Sequence, residues 1–143
     1  MALLDGQLQF DFETEHLTTE RSANILDFGE ARDLGVGNTI ELVVMVATTM
    51  TDAGTDSTMQ IDLQTDSATA FSSPTTTRTI GTFPAGSVAG TTMKIKLAAG
   101  DINEKCASLY YTVANGNLTT GKYTAFILLT SDQSTAYPTS VVI

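Results

Sequence analysis

An all-β fold, a single antiparallel jelly roll or β-sandwich of about eight strands, is what this 143-residue sequence predicts. Three observations predict it. Thr is the commonest residue while Lys and Glu are scarce, a balance that disfavours helix and favours strands. Apolar and polar residues alternate with period two in several short segments. Polar turns rich in Gly, Asn and Asp separate those segments at strand-like spacing.

Taken in chain order, residues 7–12 and 23–28 are the weaker strand candidates near the start. In the first, Phe10 and Phe12 alternate with acids in the run Asp11, Glu13, Glu15. Such charges suit an edge strand that must not pair indiscriminately; an arm reaching a neighbouring subunit is the rival reading. Residues 40–49 place Ile40, Leu42, Val44 and Val46 on one face and Val43 and Met45 on the other. Both faces are apolar, which predicts a central strand or one whose outer face meets a partner. The stretch Thr51-Asp52-Ala53-Gly54-Thr55-Asp56 reads as a flexible hairpin loop. Met59, Ile61 and Leu63 then alternate with Gln60, Asp62 and Gln64, a strand with one wet face. Residues 66–76 form the long irregular stretch, followed by a weaker strand at 77–83. Met93, Ile95 and Leu97 alternate with Lys94 and Lys96, and Ala99-Gly100-Asp101 closes that strand. Residues 108–114 turn Leu109, Tyr111 and Val113 inward, and Asn115-Gly116-Asn117 signals the next turn. Residues 123–130 repeat the two-faced apolar pattern, with Ala125, Ile127 and Leu129 opposite Phe126 and Leu128.

One domain over 1–143 is expected, with 1–20 as a candidate arm and 134–143 as a C-terminal tail. A fold of this length buries roughly 68–70% of the surface of its unfolded chain, so its core needs no staple. The formal charge of −9 argues against a phosphate-binding surface, and hence against nucleic acid as a partner. One Cys excludes an internal disulfide, and one His excludes multi-histidine metal centres. Neither a signal sequence nor an apolar run of membrane-spanning length is visible, so a soluble, cytoplasm-made product is expected. No catalytic, cofactor-binding or metal-ligating constellation emerges. His16 stands without a recognisable nucleophile and reads as a solvated polar residue. Cys106 reads as a small buried hydrophobe at the start of a strand. The pairs Asp52/Asp56 and Asp62/Asp66 offer too few oxygens for calcium, which takes about 6–8.

Several residues stand out as contact candidates. Arg32 lies in a Gly-rich bend from Asp27 to Gly37, where it pairs with a nearby acid or reaches a partner's carboxylate. Phe71, Ser72, Ser73 and Pro74 sit in the long loop, where Phe71 either caps the core or offers an aromatic contact. Phe10 and Phe12 complete the set. A carbohydrate- or receptor-binding jelly roll would instead need a row of exposed aromatics, with Tyr110, Tyr123 and Tyr137 available.

Three stretches carry a family resemblance. They are Ser22-Ala23-Asn24-Ile25-Leu26-Asp27-Phe28-Gly29 with Ala31-Arg32-Asp33-Leu34-Gly35-Val36-Gly37; Leu63-Gln64-Thr65-Asp66 with Phe71-Ser72-Ser73-Pro74-Thr75-Thr76; and Leu109-Tyr110-Tyr111-Thr112-Val113 with Thr119-Thr120-Gly121-Lys122. In that order the chain resembles the cement, or decoration, proteins of tailed bacteriophages, the family typified by a Bordetella phage cement protein. The likeness runs from near residue 3 to about residue 133. It departs at 101–107, where Asp101, Glu104 and Lys105 surround Cys106 and the family tends to place basic residues. The resemblance implies a jelly roll without enzymatic activity or cofactor, on the outer capsid surface of the virion. Its implied partners are the major capsid protein of an HK97-like shell and further copies of itself, a homodimer first and a trimer as the alternative.

Overall fold

Residues 8–31 and 40–129 are described by the computed structural model of this chain, and every regular element within them is a strand. The strands are β1 (Gln9–Glu15), β2 (Glu20–Arg21), β3 (Leu26–Asp27), β4 (Ile40–Thr51), β5 (Thr58–Asp66), β6 (Thr75–Pro84), β7 (Thr92–Lys96), β8 (Cys106–Ala114) and β9 (Thr120–Leu129). All pairings are antiparallel.

The pairings nest. β1 lies on β9, β2 and β3 both lie on β8, β4 lies on β7, and β5 lies on β6. If β2 and β3 are taken as one interrupted strand, the chain is a long hairpin whose legs pair from ends to tip. Two lateral seams, β4 with β9 and β5 with β8, roll that hairpin into two sheets. The first sheet runs β1-β9-β4-β7; the second runs β2-β8-β5-β6, with β3 also on β8. This is jelly-roll topology, as the sequence predicts.

The core lies between the sheets. Leu42, Val44, Val46, Tyr123 and Ala125 face it from the first sheet, and Met59, Ile61, Leu63, Leu109 and Tyr111 face it from the second, all fully buried. The period-two stripe of residues 59–63 is thus an inner face, while Gln60 remains exposed. The two segments that are apolar on both faces become β4 and β9, the two central strands of the first sheet. The close approach of β6 and β7 at one corner needs Gly81, where a Cβ would stand 2.5 Å from Met93 Sδ.

One loop differs from expectation. Residues 51–56 do not make a hairpin, because β4 and β5 belong to different sheets. Asp52 shapes the crossing instead, its Oδ2 accepting from Asp56 N, Ser57 N and Ser57 Oγ. At the other crossing, Asn115 (φ 63) and Gly116 (φ 105) make the tight turn their residue types predict. That turn also leads from one sheet to the other, from β8 to β9.

Candidate functional site

The two outer faces differ in chemistry. In the first sheet, residues pointing away from the core form three cross-strand rows: Thr124–Met45–Thr92, Phe126–Val43–Lys94 and Leu128–Glu41–Lys96. Apolar side chains therefore occupy the middle of this face, and lysines line its β7 edge. The outer face of the second sheet is polar. There Gln60 Nε2 and Thr79 Oγ1 donate to Asp62, Gln64 Nε2 donates to Thr76, and Arg21 donates to both Gln64 and Ser108.

At the β1 edge of the apolar face the backbone is bulged. Register shifts fall between Gln9 and Asp11 and between Asp11 and Thr14, and Glu13 adopts φ 47. The bulge corrects a sequence expectation. Strict alternation would put Phe10 and Phe12 on one face, but Phe10 and Asp11 both turn inward and Phe12 turns out. Phe10 is fully buried and so is part of the core rather than a contact residue; Phe12 is 61% exposed. Glu13 N donates to Thr124 Oγ1 and fixes the bulge. Phe12, Glu13, Met45, Ala47, Thr124 and Phe126 then line an open groove of about 440 Å³.

Behind that groove wall is a polar cluster that sequence reading missed. His16 is 2% exposed rather than solvated. Its Nε2 lies 3.1 Å from Asp11 Oδ2 and its Nδ1 lies 2.9 Å from Glu20 Oε1. Tyr111 donates its hydroxyl to the same Asp11 Oδ2 at 2.7 Å, and Ala23 N donates to Oδ1 at 2.8 Å. The imidazole stacks on the Tyr111 ring at 4.1 Å. Burial pushes the His16 pKa down, but the two carboxylates together outweigh it, so its pKa is raised above 6.5. Only the Glu20 spacing, i+4 from His16, was visible in the sequence; Asp11 and Tyr111 reach the ring through tertiary structure.

The long loop is tightly organised. Asp66 Oδ1 accepts from Ala68 N and Ser67 Oγ, and Oδ2 accepts from Ser73 N. Phe71 is buried with φ 47, and the Arg21 guanidinium sits 4.4 Å above its ring and 5.3 Å from that of Tyr110. Ser72, Ser73 and Pro74 remain exposed on the loop's surface. Hydrogen bonds to the backbone of Ser73, Ala68 and Ser67 hold the Asp66 pKa below 3.8. Stabilisation from this carboxylate is therefore complete above 3.8 and is lost as pH falls through its lower folded value. Amides of Ala68 and Ser73 are expected to lose exchange protection over that acid window, and Asp66→Asn to lack the step.

Arg32, Tyr137 and the 134–143 tail fall outside the described residues, as do residues 1–7 of the candidate arm. The three tyrosines do not make an exposed row: Tyr123 is fully buried and Tyr110 lies beside Arg21. Cys106 opens β8 fully buried, and burial raises its thiol pKa above the ordinary value. Among the described residues, no three His, Cys, Asp or Glu side chains are placed to hold a metal ion, and no helix is long and apolar enough to cross a membrane.

The family model Bbp16 matches residues 16–127. No curated protein matches the chain. Among solved structures it is similar to the N-terminal CBM22-1–GH10 modules of Clostridium thermocellum endo-1,4-beta-D-xylanase 10B, complexed with xylohexaose, at 13% identity and TM-score 0.48. That alignment covers 99% of this chain and 31% of the other, so the chain spans less than a third of that structure.

Proposed function

The chain belongs to the Bbp16 family, a family of Bordetella phage proteins, and from that premise we propose that it is a non-enzymatic cement protein of a phage head. It binds the outer surface of an HK97-like capsid and bridges neighbouring major capsid subunits after the head expands. The protein acts as a homodimer, so one engaged copy raises the effective concentration of the other at the next lattice position. Binding only the expanded lattice stabilises that state by mass action.

The observation that carries this reading is the apolar outer face of the first sheet, with Phe12 standing 61% exposed at its groove. An exposed aromatic beside half-buried Met45 and Phe126, with polar residues at the edge, is the anatomy of an interaction surface. The long charged side chains of the three rows, Glu41, Lys94 and Lys96, lie outside the groove that Met45 and Phe126 line, so docking on that apolar part costs little rotamer entropy. A net charge of −9 keeps the free protein soluble and favours a shell surface that is less acidic or locally basic.

Two measurements test it. Quantitative mass spectrometry of purified heads is expected to find about one copy per major capsid subunit, as lattice-wide occupancy requires. A handful of copies or none would overturn the cement role and favour receptor or glycan binding. Phe12→Asp is expected to weaken binding to expanded heads at least about tenfold, with melting unchanged, because it buries a charge only on docking. Unaltered binding by that variant would remove this face from the interface.

A further inference from the structure

The His16 cluster joins elements that belong to different sheets. Asp11 comes from β1 at the edge of the first sheet, Glu20 from β2 in the second, and Tyr111 from β8 opposite it. Tyr123 of β9 packs beside Tyr111, its ring 6.0 Å from the imidazole and 5.6 Å from that of Tyr111. These four residues face His16 from the strands packed around it, and two of them carry carboxylates against its two ring nitrogens. Only the protonated ring donates to both at once.

This clamp stands directly behind the groove. Phe12 and Glu13, which form its β1 wall, are bracketed in sequence by Asp11 and His16. His16 N is also tied to Gly121 O at 3.3 Å, and Glu13 N to Thr124 Oγ1 at 3.0 Å, so the segment is pinned to β9 within the bulge and beyond it. Loss of the ring proton breaks one of the two charge-assisted contacts. It also leaves the buried Asp11 facing a neutral ring, which favours release of an edge strand that has only one neighbour.

We propose that His16, clamped between Asp11 and Glu20, is a proton-dependent latch that holds the β1 wall of the groove in its docking form. The regulatory part rests on the reading of this groove as the capsid-binding face; the latch itself does not. Because the folded-state pKa is raised, the latch is fully engaged below 6.5 and is lost as pH rises through the higher folded value.

The chain has a single histidine, so its ring resonances are unambiguous in NMR. Titration of the free full-length protein from about pH 5 to 9 is expected to show that ring titrating above 6.5. Protection of the Glu13, His16 and Ala23 amides, corrected for intrinsic base catalysis, should fall about tenfold over the same step. Amides between β4 and β9 should keep theirs. A ring titrating at or below 6.5, or amides whose protection ignores its titration, would overturn the latch. His16→Gln should leave those amides weakly protected at every pH; if it does not fold, the wild-type titration decides alone. Binding to purified expanded heads should weaken over the same pH step. Binding that persists unchanged through the step would overturn the regulatory link. No binding at any pH, with the exchange step intact, would overturn the docking face and leave the latch standing.

Discussion

Asp11→Ala is expected to destabilise the fold by about 3–5 kcal/mol, the cost of removing one partner from a buried charged network. At this chain length that lowers the melting temperature by about 10–15 °C. The size follows from how much one side chain satisfies. Asp11 is fully buried, accepts from Tyr111 Oη, His16 Nε2 and Ala23 N, and ties β1 to β8 and to the segment after β2. Its removal leaves the Tyr111 hydroxyl without its acceptor and takes one of the imidazole's two carboxylate partners. Tyr111→Phe removes only one of these donors and is expected to cost about 1–2 kcal/mol. Thermal melts of the two variants at about pH 6, where His16 is charged, provide the check. A loss below about 1 kcal/mol for Asp11→Ala would mean that the network contributes little to folding.

Phe10→Ala and Phe12→Ala are expected to separate completely, although the two residues are nearly adjacent and of one type. Phe10 is fully buried among the core side chains, so truncation should cost about 3–5 kcal/mol through lost transfer energy and an unfilled cavity. Phe12 is 61% exposed, and its truncation should move stability by no more than about 0.5 kcal/mol. Head binding should show the reverse order, with Phe12→Ala weakened and folded Phe10→Ala retaining affinity. Urea melts paired with a head-binding assay read both axes. Equal stability losses would mean that the β1 bulge does not divide the pair as described.

Much of the architecture was legible because strand periodicity is a local property. Met59, Ile61 and Leu63 announced β5, and the doubled apolar pattern of residues 40–49 and 123–130 marked the two strands at the middle of the first sheet. What stayed hidden was non-local or too short. β2 is two residues long, below any period, and pairs only with β8; β3, equally short, lies within the weaker candidate at 23–28. The loop at 51–56 had turn chemistry, but residue types do not say whether a turn joins neighbours or crosses between sheets. Alternation misassigned Phe10 because the register shift between Gln9 and Asp11 carries no obligatory Gly to announce it. His16 was misread for a similar reason: most of its environment is built from residues on other strands, and a lone histidine between acids looks solvated in one dimension. For the contact face, the sequence showed apolar residues on both sides of β4 and β9, while the groove depended on the same unseen bulge.

The nested pairing also governs how the molecule is made. β1 has a single neighbour in its sheet, and that neighbour is β9, whose Phe126 meets Gln9 across almost the whole chain. During synthesis β1 waits, unpaired, until β9 has left the ribosome. Every intermediate leaves exposed both an acidic edge and the apolar strand β4, which needs β9 as well. Such a topology folds slowly, on the millisecond-to-second scale typical of sandwiches dominated by distant pairings. The acids along β1 then serve the nascent chain as well as the finished one, because they discourage an idle strand from adopting a stranger's edge while its own partner is still being translated.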